Sequence, residues 1–151
     1  MTDPTMIQVH VARRTGEKVE YLVIKRSDHE DIYPGIWQVV TGMIEPDESA
    51  QEAALRELHE EAGLRPAEFY CLPYVASFFS IRRNQVQHVP VFAAIVEESA
   101  AVTLSEEHSE FKWVGFEDAI KILPFPSHKD GTKVMKGYVI ENPEKDLFRV
   151  P

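Results

Sequence analysis

The segment "GMIEPDESAQEAALRELHEEAGL", residues 42–64, decides the fold, because it carries the most sharply bounded helix of the chain. Ser49 followed three residues later by Glu52 is a capping-box pattern, in which each residue satisfies a free backbone N–H of the other. Gly63 supplies the residue type that commonly ends a helix in the left-handed conformation. Together these signals predict a helix over residues 50–62.

The predicted helix has one apolar face, which should pack on a sheet. That face consists of Ala54, Leu55, Leu58 and Ala62. Glu57, Glu60 and Glu61 recur at i, i+3 and i+4 on another side, although like charges at this spacing repel and the helix dipole disfavours anions in the last turn. A solvated acidic face is one explanation. The convergence of oxygen ligands favours a site for a hard cation such as Mg²⁺ or Mn²⁺.

The same segment resembles the Nudix box, G-x5-E-x7-R-E-U-x-E-E-x-G-U, where U is aliphatic. Every specified position matches, namely Gly42, Glu48, Arg56, Glu57, Leu58, Glu60, Glu61, Gly63 and Leu64. The resemblance implies an α/β fold, an α/β/α sandwich on a mixed β-sheet. We expect a single Nudix hydrolase domain over residues 1–151.

The resemblance also implies a metal site. Its residues would be Glu57, Glu60, Glu61 and Gly42, with Mg²⁺ as the cofactor and Mn²⁺ as a possible substitute. The family's reaction is attack of water on a diphosphate linked to another group, with metal ions neutralising charge on the phosphoryl oxygens.

Four box residues are candidates for catalysis. By resemblance Arg56 positions a catalytic glutamate and pairs with Glu48, and Glu60 or Glu57 is the first choice for the base. A pairing role for Arg56 also follows from charge, because it is the sole Lys or Arg among seven carboxylates between residues 45 and 61.

The segment "SEEHSEFKWV", residues 105–114, contributes a further candidate. Glu107 lies in a predicted loop before a strand, where several Nudix enzymes carry a metal ligand or base, and it is preferred to Glu106. A solvated acidic loop is the alternative. Contact with the substrate is one role for His108, but a surface histidine is the more common case, and His108 is interpreted as one.

The rest of the chain predicts strands around this helix. A hairpin is expected over residues 5–26, and a short strand in "WQVVTG", residues 37–42. Further elements are β-like runs at 68–81 and 86–98, a strand at 111–116, and helices at 116–123 and 132–140.

Composition restricts the possible partners. The 25 acidic and 16 basic residues give a net charge of −9, which disfavours extended nucleic acid. The apolar runs are too short to cross a membrane, and residues 1–8 lack a signal-peptide pattern, so we expect no membrane partner and a cytoplasmic location. Cys71 has no second cysteine to pair with and is predicted to be a core residue.

The expected substrate is a small molecule with a phosphoanhydride bond. Two short segments, "WQVVTG" and "EHSEFKW", resemble the branch of the family that hydrolyses dihydroneopterin triphosphate and nucleoside triphosphates. This resemblance favours a (d)NTP or dihydroneopterin triphosphate as the substrate, cleaved to the monophosphate and pyrophosphate. A dinucleoside polyphosphate hydrolase, a nucleotide-sugar hydrolase of the ADP-ribose type and a non-catalytic nucleotide-binding module are the alternatives. The candidate substrate contacts are Lys25, Arg26, Trp37, Phe79 and Arg83, although surface charges and core aromatics are the ordinary explanations of such residues. The protein could be a monomer or a homodimer.

Overall fold

The computed structural model describes residues 3–151. Within that range one sheet contains seven strands: Met6–Thr15 (β1), Lys18–Arg26 (β2), Trp37–Gln38 (β3), Val40–Met43 (β4), Glu68–Ser80 (β5), Gln85–Val96 (β6) and His108–Val114 (β7). The α-helices are Ala50–Ala62 (α1), Phe116–Ile122 (α2) and Pro126–Met135 (α3). A π-helix at Lys136–Ile140 and a 3₁₀-helix at Lys145–Phe148 follow.

Strand β1 lies at the centre of the sheet. It pairs antiparallel with β4 through residues 6–9 and with β2 through residues 12–15, and it pairs parallel with β6 through residues 8–13. The sheet is therefore mixed, as predicted. The hairpin of β1 and β2 is also confirmed, and Gly16 in its turn has the positive φ of 65° that glycine adopts readily.

Helices cover both faces of the sheet. Side chains of β1 alternate between the two faces, so that Ile7 and Val9 pack with α1 while Ala12 packs with α2 and α3 on the opposite side. Each face encloses its own apolar core. This is the α/β/α sandwich that the sequence predicts.

Helix α1 has the predicted bounds and caps. The Ser49 side chain accepts from the Glu52 N–H, the Glu52 carboxylate accepts from the Ser49 N–H, and Gly63 is left-handed with φ of 69°. The predicted apolar face is buried except for Leu55, which is partly buried. One carboxylate, Glu61, is also buried, so the three glutamates do not share one solvent-facing side.

The predicted start of the last helix, at residue 132 of the range 132–140, is wrong. Helix α3 begins six residues earlier, at Pro126, where the missing N–H of proline costs no hydrogen bond. The sequence pattern missed this turn because the sheet-facing residues of α3 include polar and small ones. Those residues are His128, Gly131 and Thr132, with Met135 in the last turn.

Gly131 is required where α3 crosses β1. A Cβ at this position would lie 2.2 Å from Nε2 of His10, so no larger residue fits without displacing the ring. Around the contact, Gln8 Nε2 lies 2.7 Å from His10 Nε2, and Thr132 Oγ1 lies 3.3 Å from His10 Nδ1. A buried polar cluster therefore fills the interface between α3 and β1.

The prediction for Cys71 is wrong. Its side chain is exposed, although its neighbours on β5, Tyr70 and Leu72, are buried. Within residues 3–151, no helix has the length and apolar character needed to cross a membrane.

Candidate active site

The site begins where β4 passes beneath α1. A Cβ on Gly42 would lie 2.2 Å from Cδ of Glu57, so the strand can approach this close only because residue 42 has no side chain. Glycine is thus explained by close approach rather than by a turn. The contact holds the Glu57 carboxylate against the sheet.

Arg56 organises the carboxylates around it. It donates two hydrogen bonds to Glu48, from Nε at 2.7 Å and from Nη2 at 2.9 Å, and Nη2 also donates to the Met43 carbonyl at 2.9 Å. Its Nη1 donates to Glu57 at 2.7 Å and to Glu60 at 3.1 Å. The guanidinium beside Glu48 lowers the pKa of that carboxyl to about 2, and these carboxylates raise the pKa of Arg56. The pair is ionised throughout the physiological range.

A cleft of about 360 Å³ opens beside the last turns of α1. Its lining consists of Glu57, Glu60, Glu61, Ser105, Glu106 and Glu107. The loop that brings Glu106 and Glu107 is attached to the end of β2, where the Ser27 N–H donates to the Glu107 carbonyl at 2.8 Å and the Ser27 hydroxyl to the Glu106 carbonyl at 2.8 Å. The structure therefore brings Glu107 to the box glutamates.

Glu61 is the least accessible carboxylate of the cleft. It is 3% exposed, and its Oε2 has no hydrogen-bond partner among residues 3–151. Burial, followed by the charge of Glu57, raises the pKa of Glu61 well above its usual range, and burial also raises that of Glu57. An ionised pair here needs a compensating positive charge.

These residues fit a divalent metal. Glu61, Glu107 and His108 each offer one ligand atom, and the three atoms lie within 4.8 Å of one another. The donors facing the cleft are carboxylate oxygens, which suit a hard cation, and the unpartnered Oε2 of Glu61 is an available ligand. Which residues bind the metal, and whether it is Mg²⁺, stays a prediction.

The candidate substrate contacts fall in three places. Arg26 lies close enough to the cluster for its charge to lower the pKa of Glu61, and it pairs with Glu30 at 3.4 Å. Lys25 and Trp37 are cross-strand neighbours, and Trp37 packs on the face opposite α1. These two side chains are therefore separated from the cleft by the sheet.

The remaining two candidates lie at the end of the β5–β6 hairpin. Phe79 is 57% exposed, and Arg83 Nη2 lies 3.4 Å from Sδ of Met43. Met43 follows Gly42, and its carbonyl accepts from Arg56, so Arg83 reaches the edge of the box. Of the five candidates, Arg83 contacts a residue of the box, and Arg26 lies near enough for its charge to act on Glu61.

The interpretation of His108 as a surface residue is wrong. Its side chain is fully buried, with Nε2 2.7 Å from Gln38 Nε2 and 3.7 Å from Glu61 Oε1. If side chains alternated regularly along β7 from Trp113, residue 109 would face α1. The pairing of β2 with β7 shifts register between Lys25 and Arg26, however, so that Arg26 pairs with His108. Residue 108 therefore faces α1 in place of residue 109. Neither the burial of His108 nor its contact with Gln38 has a signal in the sequence.

The sandwich, the glycine under α1 and the arginine-held carboxylates together define an α/β/α protein with an acidic cleft at the end of α1. Residues 4–137 match the family model described as NUDIX domain. The chain belongs to the NUDIX domain family, the family of the Nudix hydrolases.

Individual relatives are similar over most of the chain. The chain is 34% identical over 129 residues to the octanoyltransferase of Myxococcus xanthus, covering 84% of this chain but only 35% of that protein. It is 27% identical over 107 residues to the nucleoside triphosphatase NudI of Escherichia coli, covering 66% of this chain and 76% of NudI. It is 26% identical over 123 residues to the asymmetrical bis(5'-nucleosyl)-tetraphosphatase of Mus musculus, covering 79% and 80%.

Solved structures are similar over nearly the whole chain. A NUDIX-family protein from Listeria monocytogenes superposes with a TM-score of 0.78 at 31% identity, covering 93% of this chain and 97% of that one. The dihydroneopterin triphosphate pyrophosphohydrolase of Escherichia coli superposes with a TM-score of 0.72 at 20% identity, covering 93% and 100%. The second likeness shows the fold alone.

Mg²⁺ is expected to raise the melting temperature of the protein. Because the folded-state pKa values of Glu57 and Glu61 are raised, their ionisation costs stability as the pH rises above about 4.5, and a bound cation offsets that cost. At a hundredfold excess over Kd, binding adds about 2.7 kcal/mol, or roughly 5–10 °C for a domain of this size. Thermal scans at pH 7.5 with Mg²⁺, with chelator, and with NaCl at matched ionic strength measure the effect. Identical melting temperatures with Mg²⁺ and with chelator would contradict a preformed cation site.

Proposed function

We propose that the protein is a Mg²⁺-dependent hydrolase of a phosphoanhydride bond in a small nucleotide. The first candidate substrate is a nucleoside triphosphate or dihydroneopterin triphosphate, cleaved to the monophosphate and pyrophosphate. The observation that carries this proposal is the cleft of about 360 Å³, which three box glutamates line together with two carboxylates of the loop. A cleft so acidic repels a polyphosphate until a divalent cation reverses the local field.

The side chains around the cleft have complementary roles in this proposal. Glu57, Glu60, Glu61 and Gly42 would hold the metal, which when bound neutralises charge on the phosphoryl oxygens. Glu60 or Glu57 would accept the proton of the attacking water, with Glu107 as the third candidate. Arg56 would hold the carboxylates of Glu57 and Glu60 towards the cleft, because it hydrogen-bonds each of them and is itself held by Glu48.

Phosphate recognition needs positive charge beyond the metal. Arg26 and Arg83 are the proposed contacts, because one lies near Glu61 and the other reaches Met43 at the edge of the box. The secondary candidates for substrate contact are Lys25, Trp37 and Phe79. Because Lys25 and Trp37 lie on the other face of the sheet, they could contact only a substrate that extends past the sheet edge.

Two relatives support different substrates within this reaction class. Likeness to the nucleoside triphosphatase NudI favours a nucleoside triphosphate. Likeness to the asymmetrical bis(5'-nucleosyl)-tetraphosphatase favours a dinucleoside polyphosphate as the second candidate. Both substrates carry the same phosphoanhydride bond, so the carboxylate site serves either one.

The test is hydrolysis of a substrate panel with Mg²⁺, followed by separation of the products. The panel contains the nucleoside triphosphates, dihydroneopterin triphosphate, diadenosine tetraphosphate and ADP-ribose, and product identity distinguishes release of pyrophosphate from release of a nucleotide. We expect turnover of a triphosphate, abolished by chelator and by Glu60→Gln. Metal-dependent binding of a nucleotide without turnover of any panel member would instead indicate the non-catalytic module, and equal turnover by Glu60→Gln would contradict the metal-site assignment.

A further inference from the structure

We propose that His108, held by Gln38, is a positioning residue that fixes the carboxylate of Glu61 relative to that of Glu107. The inference rests on the proposed metal-dependent function and adds two residues that lie outside the Nudix box. His108 does not line the cleft, so it would act through Glu61 rather than on the substrate.

Three buried polar side chains meet behind the cleft. Gln38 from β3, His108 from β7 and Glu61 from α1 are each at most 5% exposed. Gln38 Nε2 lies 2.7 Å from His108 Nε2, and the same ring nitrogen lies 3.7 Å from Oε1 of Glu61. The imidazole therefore fills the space between the sheet and the buried carboxylate, and Gln38 fixes the orientation of the ring.

The backbone of His108 closes the loop that carries Glu107. Its N–H donates to the Ser105 carbonyl at 3.2 Å, and the Ser105 N–H donates to the Glu61 carbonyl at 3.3 Å. Glu107, the residue before His108, lines the cleft. A shift of the imidazole would therefore move both carboxylates, one through side-chain contact and the other through the chain.

Stability alone gives no reason for these polar groups. His108 Nδ1 and Glu61 Oε2 are both buried, and neither has a hydrogen-bond partner in the part of the chain that the structure describes. Unpaired buried polar atoms cost free energy, so apolar side chains of similar size at Gln38, His108 and Glu61 together would cost the fold less than these polar ones. A functional role explains why imidazole and carboxylate face each other here.

The test measures Mn²⁺ affinity by calorimetric titration of the protein without nucleotide. His108→Phe keeps a planar aromatic ring, somewhat larger than imidazole, but removes both nitrogens, and it is expected to weaken Mn²⁺ binding by about 10–100-fold. Gln38→Leu should weaken it in the same direction. His108→Gln, whose amide can bond Gln38 and approach Glu61, should restore affinity to within a few-fold of the wild type.

His128→Phe is the matched control. His128 is also a buried histidine, 5% exposed, but it lies on α3 against the opposite face of the sheet. It should change stability while leaving the Mn²⁺ affinity unchanged. In hydrolysis assays, His108→Phe should raise the Mg²⁺ concentration for half-maximal rate, whereas the nucleotide KM at saturating Mg²⁺ stays within about twofold.

The outcomes separate this inference from the proposed function. Wild-type affinity in His108→Phe and Gln38→Leu, or an equal loss in His128→Phe, would overturn the positioning role while the hydrolase proposal stands. A wild-type protein that neither binds Mn²⁺ nor hydrolyses the panel would overturn the proposed function, and this inference with it. If His108→Phe does not fold, Gln38→Leu and His108→Gln decide the question.

Discussion

Exchange of Glu57 for Gln is expected to lower kcat/KM by on the order of a thousandfold, the loss typical of removing one preorganised group that stabilises transition-state charge. Glu57 lies against Gly42, is hydrogen-bonded by Arg56 at 2.7 Å, and lines the cleft. Glutamine has nearly the same shape, so it fits over Gly42 and should leave the fold intact. What it removes is the negative charge that the proposed metal site and the proposed activation of water require.

Glu52→Gln is the control for the change in charge. Glu52 belongs to the same helix, but its carboxylate accepts a hydrogen bond from the Ser49 N–H at the first turn, a bond that a glutamine oxygen can also accept. Glu52→Gln should therefore keep the kcat/KM of the wild type, and steady-state kinetics should show that it exceeds the kcat/KM of Glu57→Gln by about a thousandfold. Less than a tenfold loss in Glu57→Gln, with an unchanged Mg²⁺ requirement, would remove Glu57 from the site.

Local signals in the sequence account for the predictions that hold. The bounds of α1 follow from Ser49, Glu52 and Gly63, because capping depends on residues only a few positions apart. The family assignment follows from the spacing of the box residues, because residues at fixed intervals along a helix lie at fixed positions relative to one another. The pairing of Arg56 with Glu48, which lies before α1 begins, is expected from the resemblance to the box, and charge alone already indicates that Arg56 pairs with a carboxylate.

Long-range contacts limit the rest. The burial of Glu61 depends on how the loop of residues 105–107 folds over the end of α1, and the burial of His108 depends on a register shift between β2 and β7. Gln38 is 70 residues away from His108, and no local pattern connects them. Helix α3 was misplaced for a related reason, because its buried face is polar and a hydrophobic period cannot detect it.

Acid is expected to destabilise the fold steeply between pH 6.5 and 4, through the same polar face of α3. Burial lowers the pKa of His10 to about 3 and that of His128 to about 4, from an ordinary value of 6.5, and a charge on His128 lowers the first pKa further. The unfolded chain therefore binds more protons than the folded protein in this range, and stability falls as the pH falls. Each histidine contributes about 1.4 kcal/mol per pH unit, so the two together contribute about 2.7, and His108, whose pKa burial also lowers to about 4, adds a similar contribution from the other face of the sheet.

Urea unfolding at pH 7, 6, 5 and 4.5, at fixed ionic strength and with chelator, measures this slope. Protonation of Glu61 increases stability as the pH falls, because the pKa of Glu61 is raised in the folded protein. The difference in slope between the wild type and a histidine variant is therefore more informative than the slope of the wild type alone. His128→Phe removes one of the two histidines and should reduce the slope by about 1.4 kcal/mol per pH unit. The ion pair of Glu48, whose pKa is about 2, adds to the loss only below about pH 4.5. A slope that His128→Phe leaves unchanged would mean that His128 is already solvated or charged in the folded protein, and that α3 packs on His10 less closely than the contact at Gly131 requires.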